Sequence, residues 1–112
     1  MRIEVNQNNI FPVWKPQSLS SGEVVKTIKS KLNLKKVGHC GTLDPFAEGL
    51  LIVVSGAETS NSDRYMADIK TYRTVISLGR ETDTLDNTGE VIRKTEVRSE
   101  NYSNDFIKKV LD

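Results

Sequence analysis

Apolar and polar residues occur in distinct blocks along this chain, and the first apolar block is Ile10–Trp14. It contains Pro12, and a proline removes a backbone donor from a strand. We therefore expect a short edge strand or extended segment, with Trp14 as a core anchor or, alternatively, as a stacking surface for a base. The polar residues before it, 1–9, predict a loosely held end or another edge strand.

The next block predicts a helix of about three turns. Ser20 and Glu23 have the spacing of a capping box, in which each side chain accepts a hydrogen bond from the other residue's backbone N–H. The helix should end near Asn33 and carry lysines on its polar face. Its apolar face is predicted to consist of Val24, Val25, Ile28 and Leu32.

The longest apolar block, Leu50–Val54, does not alternate with polar residues, which predicts a central strand buried on both faces. Thr59–Asp68 predicts a weaker helix, and the alternating segment Lys70–Leu78 predicts a second strand. Glu90–Arg93 predicts a short third strand, and Ser103 should cap a last helix. Together these elements predict an α+β fold, with a mixed β-sheet and flanking helices. The apolar stripe of the last helix would be Phe106, Ile107, Val110 and Leu111.

Composition narrows the class of protein. Hydrophobic residues at 37% and charged residues at 28% indicate a globular chain rather than a disordered or membrane protein. No apolar run could span a bilayer and the start has no signal-peptide core, so we expect a cytoplasmic protein. A single cysteine and a single histidine exclude a disulfide framework and a Cys/His zinc site.

Charge is unevenly distributed, although the net charge is only +1. Six lysines precede the glycine-rich stretch, and a solvated helix face is their ordinary interpretation. The alternative is a surface that contacts the phosphates of a nucleic acid. These lysines are Lys15, Lys26, Lys29, Lys31, Lys35 and Lys36.

The stretch Gly38–Gly49 contains three glycines, the histidine, the cysteine and the pair Asp44-Pro45. Pro45 disfavours the α region for Asp44, so the carboxylate should project from a fixed kink. An ordinary turn is the default interpretation of such a stretch. A preorganised reactive carboxylate is the alternative.

Other kinds of site fit less well. The stretch lacks the lysine of a phosphate-binding loop, and Cys40 is better explained as a small buried residue than as a nucleophile. Asp83 and Asp86 do not have EF-hand spacing, so residues 79–89 are interpreted as a structured turn rather than a metal site. What remains is Asp44, ionised at neutral pH and flanked by lysines, which favours covalent chemistry on a nucleic acid.

Several motifs resemble the N-terminal part of the catalytic domain of the TruB family of tRNA pseudouridine synthases, in the family's order and spacing over nearly the whole chain. The longest is Gly38-His39-x-Gly41-Thr42-Leu43-Asp44-Pro45-x-Ala47-x-Gly49. The others are Lys15-Pro16, the pair Ser20-Ser21 before the first helix, Gly56-x-x-Thr59, Tyr72-Arg73 and Leu78-Gly79-x-x-Thr82-Asp83-Thr84-x-Asp86-x-x-Gly89.

The resemblance implies that residues 1–112 form part of a pseudouridine synthase catalytic fold, without its C-terminal half and its RNA-binding region. It implies a tRNA pseudouridine-55 synthase that flips a uridine out of the T-loop and isomerises it without a cofactor or a metal. The expected partners are the T-arm stem-loop of tRNA and the missing half of the enzyme. A noncatalytic RNA-binding or assembly module that needs a second polypeptide is the alternative.

The resemblance also assigns roles to individual residues. Asp44 corresponds to the nucleophile, and Tyr72 lies against the base and assists proton removal, with packing as its alternative role. Three positions depart from the family's usual residues: Ser18 replaces glycine, Cys40 replaces a small residue or threonine, and Ser60 replaces lysine. The implied RNA contacts are His39, Lys15, Gly41, Thr42 and Lys36.

Overall fold

The computed structural model describes residues 2–3 and 9–112, which divide into two units, Met1–Lys70 and Thr71–Asp112. The first unit contains β1 (Arg2–Ile3), β2 (Ile10–Lys15), α1 (Ser21–Lys31), β3 (Val37–Cys40), β4 (Gly49–Ser55), a 3₁₀ segment (Gly56–Asn61) and α2 (Ser62–Met66). The second unit contains β5 (Arg80–Thr82), β6 (Val91–Lys94), a 3₁₀ segment (Ser99–Asn101) and α3 (Asn104–Leu111).

The sheet of the first unit has the strand order β1-β2-β4-β3, and each of its neighbouring pairs is antiparallel. The α+β class is therefore confirmed, whereas the mixed sheet is wrong for the described residues. The reason is that β4 lies between β2 and β3 and runs antiparallel to both. The connection through α1 thus joins two strands of the same direction that are not neighbours, so no parallel pair forms.

Strand β2 lies inside this sheet, so the prediction of an edge strand is wrong. β1 pairs only with Val13 and Trp14. Among the described residues, Pro12 therefore has a strand partner only in β4, where it faces Ile52. The strand predicted before it exists at Arg2–Ile3; residues 1 and 4–8 lie outside the described part of the chain.

Helix α1 forms as predicted, because both of its ends are specified locally. Ser20 Oγ accepts the Glu23 N–H at 3.2 Å, and Glu23 Oε2 accepts the Ser20 N–H at 2.7 Å. The second bond is the main reason that the pKa of Glu23 is lowered. At the other end, Asn33 adopts a φ of 50° and the Leu34 N–H bonds the Lys29 carbonyl, which satisfies the last turn.

The core lies between α1 and one face of the sheet. It consists of Phe11, Val13, Val24, Ile28, Leu51 and Val53. The opposite face of the sheet carries Trp14 and its cross-strand neighbour Leu50, which are 54% and 63% exposed. Strand β4 is central as predicted, and Val53 and Val54, which point to opposite faces, are both fully buried, whereas Leu50 at its start is exposed. The role of Trp14 as a core anchor is wrong. On the opposite face, Tyr65 of α2 lines a recess together with Cys40, Leu50 and Ile52.

The helix predicted at Thr59–Asp68 is shorter in the structure, because the chain first forms the 3₁₀ segment Gly56–Asn61 and then the five-residue α2. A side-chain bond links the two pieces, since Tyr65 Oη donates to Glu58 Oε2 at 3.0 Å. The longest described helix, α1, has 11 residues. No helix within the described residues is long and apolar enough to cross a membrane.

Structure and prediction differ most at Lys70–Leu78, where the structure has no strand and all residues but Lys70 belong to the second unit. Alternating side chains produce a strand only if a neighbouring backbone pairs with it, and residues 71–112 offer no such partner. The predicted third strand is confirmed as β6, which pairs with β5. Ser103 caps α3 as predicted, with its Oγ accepting the Phe106 N–H at 3.1 Å.

Candidate active site around Asp44

Asp44 begins a β-turn in the loop between β3 and β4. The Ala47 N–H donates to the Asp44 carbonyl at 2.9 Å, and Pro45 occupies the second position, where its fixed φ suits such a turn. The Asp44 carboxylate is exposed, and within residues 9–70 it has no hydrogen-bond or ion-pair partner. The sequence offered an ordinary turn or a projecting carboxylate as alternatives, and the structure has both, because the turn itself exposes the Asp44 carboxylate.

Hydrogen bonds to backbone groups hold the chain on both sides of Asp44. Before it, the hydroxyl of Ser21 donates to the Leu43 carbonyl at 3.0 Å and accepts the Leu43 N–H at 3.0 Å. After it, the Pro45 carbonyl accepts the Ser18 N–H at 2.7 Å. All these partners lie between the end of β2 and the start of α1, so this connection holds the turn.

Lys15 belongs to the same connection and has no exposed surface. Its ammonium donates to the carbonyls of Pro16 at 2.9 Å, Leu19 at 2.6 Å and Pro45 at 3.4 Å. These three carbonyls satisfy the buried ammonium, and its charge also interacts favourably with the Glu23 carboxylate. Because the ammonium binds the protein's own backbone, the structure argues against the RNA contact predicted for Lys15.

The loop from β3 to the turn depends on glycine at one end. Gly41 has a φ of 95°, in the left-handed region that other residues resist. Its carbonyl accepts a hydrogen bond from His39 Nδ1 at 2.9 Å. A carbonyl can only accept, so Nδ1 carries the proton, and Nε2 is the atom left to meet a ligand. His39 is half-buried, and Thr42 is exposed two residues before Asp44.

Cys40 lies beside His39 in sequence but is buried, as predicted. Burial raises the pKa of its thiol, and the nearby Lys70 opposes this only in part. The thiol is therefore protonated at neutral pH. It contributes to a recess of about 320 Å³, whose lining includes Tyr65 and Lys70 but not Asp44.

The remaining implied RNA contact, Lys36, belongs to a group of exposed lysines on α1 and just after it, which we call the basic surface. The helix is roughly 16 Å long, and Ser21, which bonds the turn, is its first residue. The basic surface therefore extends along the helix away from Asp44. Its members are Lys26, Lys29, Lys31, Lys35 and Lys36.

Tyr72 belongs to the second unit and is 66% exposed. It lies in the irregular segment where a strand was predicted, so its predicted alignment with Thr74 and Ile76 on one strand face is wrong. Its part in proton removal stays a prediction.

The acidic loop between β5 and β6 is built by its own hydrogen bonds. Asp83 Oδ1 accepts the Glu90 N–H at 2.9 Å, and Asp86 Oδ1 accepts both the N–H and the hydroxyl of Thr88 and the hydroxyl of Thr84. The Thr88 hydroxyl is the main cause of the lowered pKa of Asp86. The predicted structured turn is confirmed. No group of three or more His, Cys, Asp or Glu side chains in the described residues is arranged to hold a metal ion.

Comparison with known proteins tests the resemblance directly. The family described as "TruB family pseudouridylate synthase (N terminal domain)" matches residues 29–112, most of the chain and all of the Asp44 loop. The chain belongs to the TruB family. This membership confirms the family that the glycine-rich stretch indicates.

Individual relatives extend the match towards the first residues. A tRNA pseudouridine synthase B of Staphylococcus aureus (strain MRSA252) is 42% identical over 105 residues, which cover 94% of this chain and 34% of the relative. Proteins of the same name from Staphylococcus saprophyticus and Alkaliphilus oremlandii are 43% and 45% identical, over 93% and 82% of this chain and 34% and 31% of their own length. The chain thus spans about a third of the length of these TruB relatives.

Sequence reasoning missed Ser21 and the backbone of Ser18 as parts of this site. The pair Ser20-Ser21 indicated a helix cap and matched a family motif, but neither observation predicted the bond between Ser21 and Leu43, which spans 22 positions of sequence. No local pattern reports such a contact.

Proposed function

We propose that this chain supplies the nucleophile of a cytoplasmic tRNA pseudouridine-55 synthase, which isomerises a uridine of the T-loop. The observation that carries this proposal is the exposed carboxylate of Asp44, which has no hydrogen-bond or ion-pair partner within residues 9–70. It lies on a turn whose two flanking residues are bonded to the β2–α1 connection. Preorganised geometry of this kind suits a nucleophile, because attack requires a fixed approach.

In the proposed reaction, the target uridine is extruded into the site and Asp44 enables cleavage of its N1–C1′ bond. The base then turns and C5 bonds to C1′, while the C5 proton is lost and N1 gains a proton. Atoms and electrons balance without a cofactor, because the product is an isomer of the substrate.

The other predicted residues take supporting roles in this proposal. His39 would present Nε2 to the RNA near the extruded base, with Gly41 and Thr42 beside it. Tyr72 would assist removal of the C5 proton. The T-arm phosphates would follow the basic surface, which includes Lys36. The part of the enzyme that corresponds to the other two thirds of the relatives would complete the pocket.

The test uses a T-arm hairpin that carries 5-fluorouridine at the target position. It is mixed with the 112-residue chain alone, and with the chain plus a polypeptide that corresponds to the unmatched two thirds of the Staphylococcus aureus relative. We expect a covalent adduct and, with ordinary uridine, isomerisation in the second mixture. Asp44→Asn should lower both rates by about 10³-fold or more while RNA affinity changes little.

Glu48 provides the matched control, because it is an exposed carboxylate of the same loop. Glu48→Gln removes the same charge and should leave both rates unchanged. If Asp44→Asn forms the adduct as fast as the parent chain, Asp44 is not the nucleophile. If neither mixture reacts, the enzyme proposal is wrong.

The basic surface favours one other candidate, a noncatalytic RNA-binding module that works with a second polypeptide. Its sign would be hairpin binding that weakens with added salt, because lysines that contact phosphates release counterions. Salt-dependent binding with no adduct in either mixture would favour this module over the enzyme.

A further inference from the structure

Ser21 makes the closest side-chain contact to the backbone next to Asp44. It is the first residue of α1 and is only 2% exposed. A hydroxyl has one donor and two acceptor positions, and Ser21 uses both kinds on the same residue, Leu43. Leu43 lies outside the strands and helices, and in the described residues its backbone groups have no other partner.

The position of Leu43 makes this contact relevant to Asp44. The Leu43 carbonyl belongs to the peptide unit that ends at the Asp44 nitrogen, so the donated bond fixes the plane from which Asp44 projects. On the far side, the Pro45 carbonyl is held by the Ser18 N–H and the Lys15 ammonium. Among the described residues, Ser21 is thus the side chain that holds the residue immediately before Asp44.

We propose that Ser21 is a positioning residue, whose paired hydrogen bonds to Leu43 hold the Asp44 carboxylate in its attacking orientation. This inference rests on the proposed function. Its physical basis is that catalytic groups must be held within about 0.5 Å of the productive geometry, and a displacement of about 1 Å can cost about 10²-fold in rate. A purely structural role for Ser21 would predict no loss of rate in the folded protein.

The neighbouring serine supplies a matched control. Ser20 caps the same helix through Glu23 and makes no bond to Leu43. Ser21→Ala and Ser20→Ala each remove one hydroxyl. In the 112-residue chain, we expect Ser21→Ala to speed amide hydrogen exchange of Leu43 by about tenfold or more while the amides of β4 keep their protection. Ser20→Ala should instead affect the first turn of α1.

A second pair of variants applies if Ser21→Ala fails to fold. Ser21→Thr and Ser21→Val have nearly the same shape, so any steric cost is shared, and they differ in the hydroxyl. Ser21→Thr should protect the Leu43 amide better than Ser21→Val. Equal exchange of Leu43 with and without the hydroxyl, in either pair, would overturn the proposal.

The catalytic readout is the rate of adduct formation with the fluorouridine hairpin, in the two-polypeptide mixture at saturating RNA. We expect Ser21→Ala to slow this rate by about 10- to 100-fold with unchanged RNA affinity, and Ser20→Ala to leave it near the parent rate. If Ser21→Ala speeds amide exchange of Leu43 but leaves the rate of adduct formation unchanged, Ser21 has only a structural role and the proposal is wrong. Absence of any adduct from the parent chain would refute the proposed function itself, which is a distinguishable result.

Discussion

The substitution Lys15→Met separates a structural lysine from one that binds RNA. Methionine has a similar length and keeps the apolar stem, but it removes the ammonium. The ammonium has no exposed surface and bonds three backbone carbonyls. We therefore expect the substitution to weaken the fold rather than to weaken RNA binding directly.

The magnitude follows from the acceptors left behind. The Pro45 carbonyl keeps its bond from the Ser18 N–H, whereas the carbonyls of Pro16 and Leu19 lose their only described donor. An unsatisfied buried group costs about 1–3 kcal/mol. Part of this cost is offset, because methionine has no charge to desolvate. The expected net loss in the free energy of unfolding is about 2–3 kcal/mol, or roughly 10 °C in Tm for a chain of this size.

The assay is urea or thermal unfolding, followed by circular dichroism, with Lys26→Met as the control. Lys26 is exposed on α1, so its substitution should change the free energy of unfolding by about 0.5 kcal/mol or less. The reasoning would be refuted if both variants were equally stable and Lys15→Met instead reduced the salt dependence of hairpin binding. That result would place the Lys15 ammonium on a phosphate.

Two further predictions concern strain and acid stability. Ser18 has a φ of 77°, in the left-handed region that costs a non-glycine residue about 1–2 kcal/mol. Glycine avoids this strain but loses about 0.5–1 kcal/mol of conformational entropy on folding. Ser18→Gly should therefore raise the free energy of unfolding by about 0.5–1 kcal/mol. The control is Ser30→Gly, at an exposed position of α1, which should lower the free energy of unfolding by about 0.5 kcal/mol. A Ser18→Gly variant that is less stable than the parent chain would contradict the strain argument. The lowered pKa of Asp86 means that its stabilisation is complete above the ordinary aspartate pKa and is lost as pH falls through the lower folded-state pKa. In the parent chain, the β5–β6 loop should therefore lose its ordered structure as the pH falls, and Asp86→Asn should weaken this pH dependence. Amide chemical shifts of the loop, measured against pH, test this, and the same pH profile in both proteins would contradict the stabilising role of the Asp86 carboxylate.

The features predicted best from sequence are those that depend on local contacts. The capping box at Ser20 and the left-handed Asn33 specify both ends of α1 within a few residues. The cap of α3 at Ser103 is equally local. These hydrogen bonds do not depend on distant parts of the chain, because both partners are close in sequence.

The features missed depend on what packs or pairs from a distance. The apolar run of β4 indicated a central strand correctly, but whether Leu50 is covered depends on which element lies over that face. The alternation at Lys70–Leu78 reported only a suitable surface, since a strand also needs a pairing neighbour. The burial of Lys15 could not be predicted from the sequence for the same reason, because the carbonyls that accept its hydrogen bonds come from two separate loops.

The bonds around Asp44 also bear on when the proposed site becomes ordered. Each described bond that fixes the turn joins residues between Lys15 and Ala47, all within the first unit. Fixing the backbone of one residue costs about 1–2 kcal/mol of conformational entropy. In this chain that ordering accompanies folding, since the turn is held by the β2–α1 connection. RNA binding would then not have to order the nucleophile, and its free energy would remain for extruding the base.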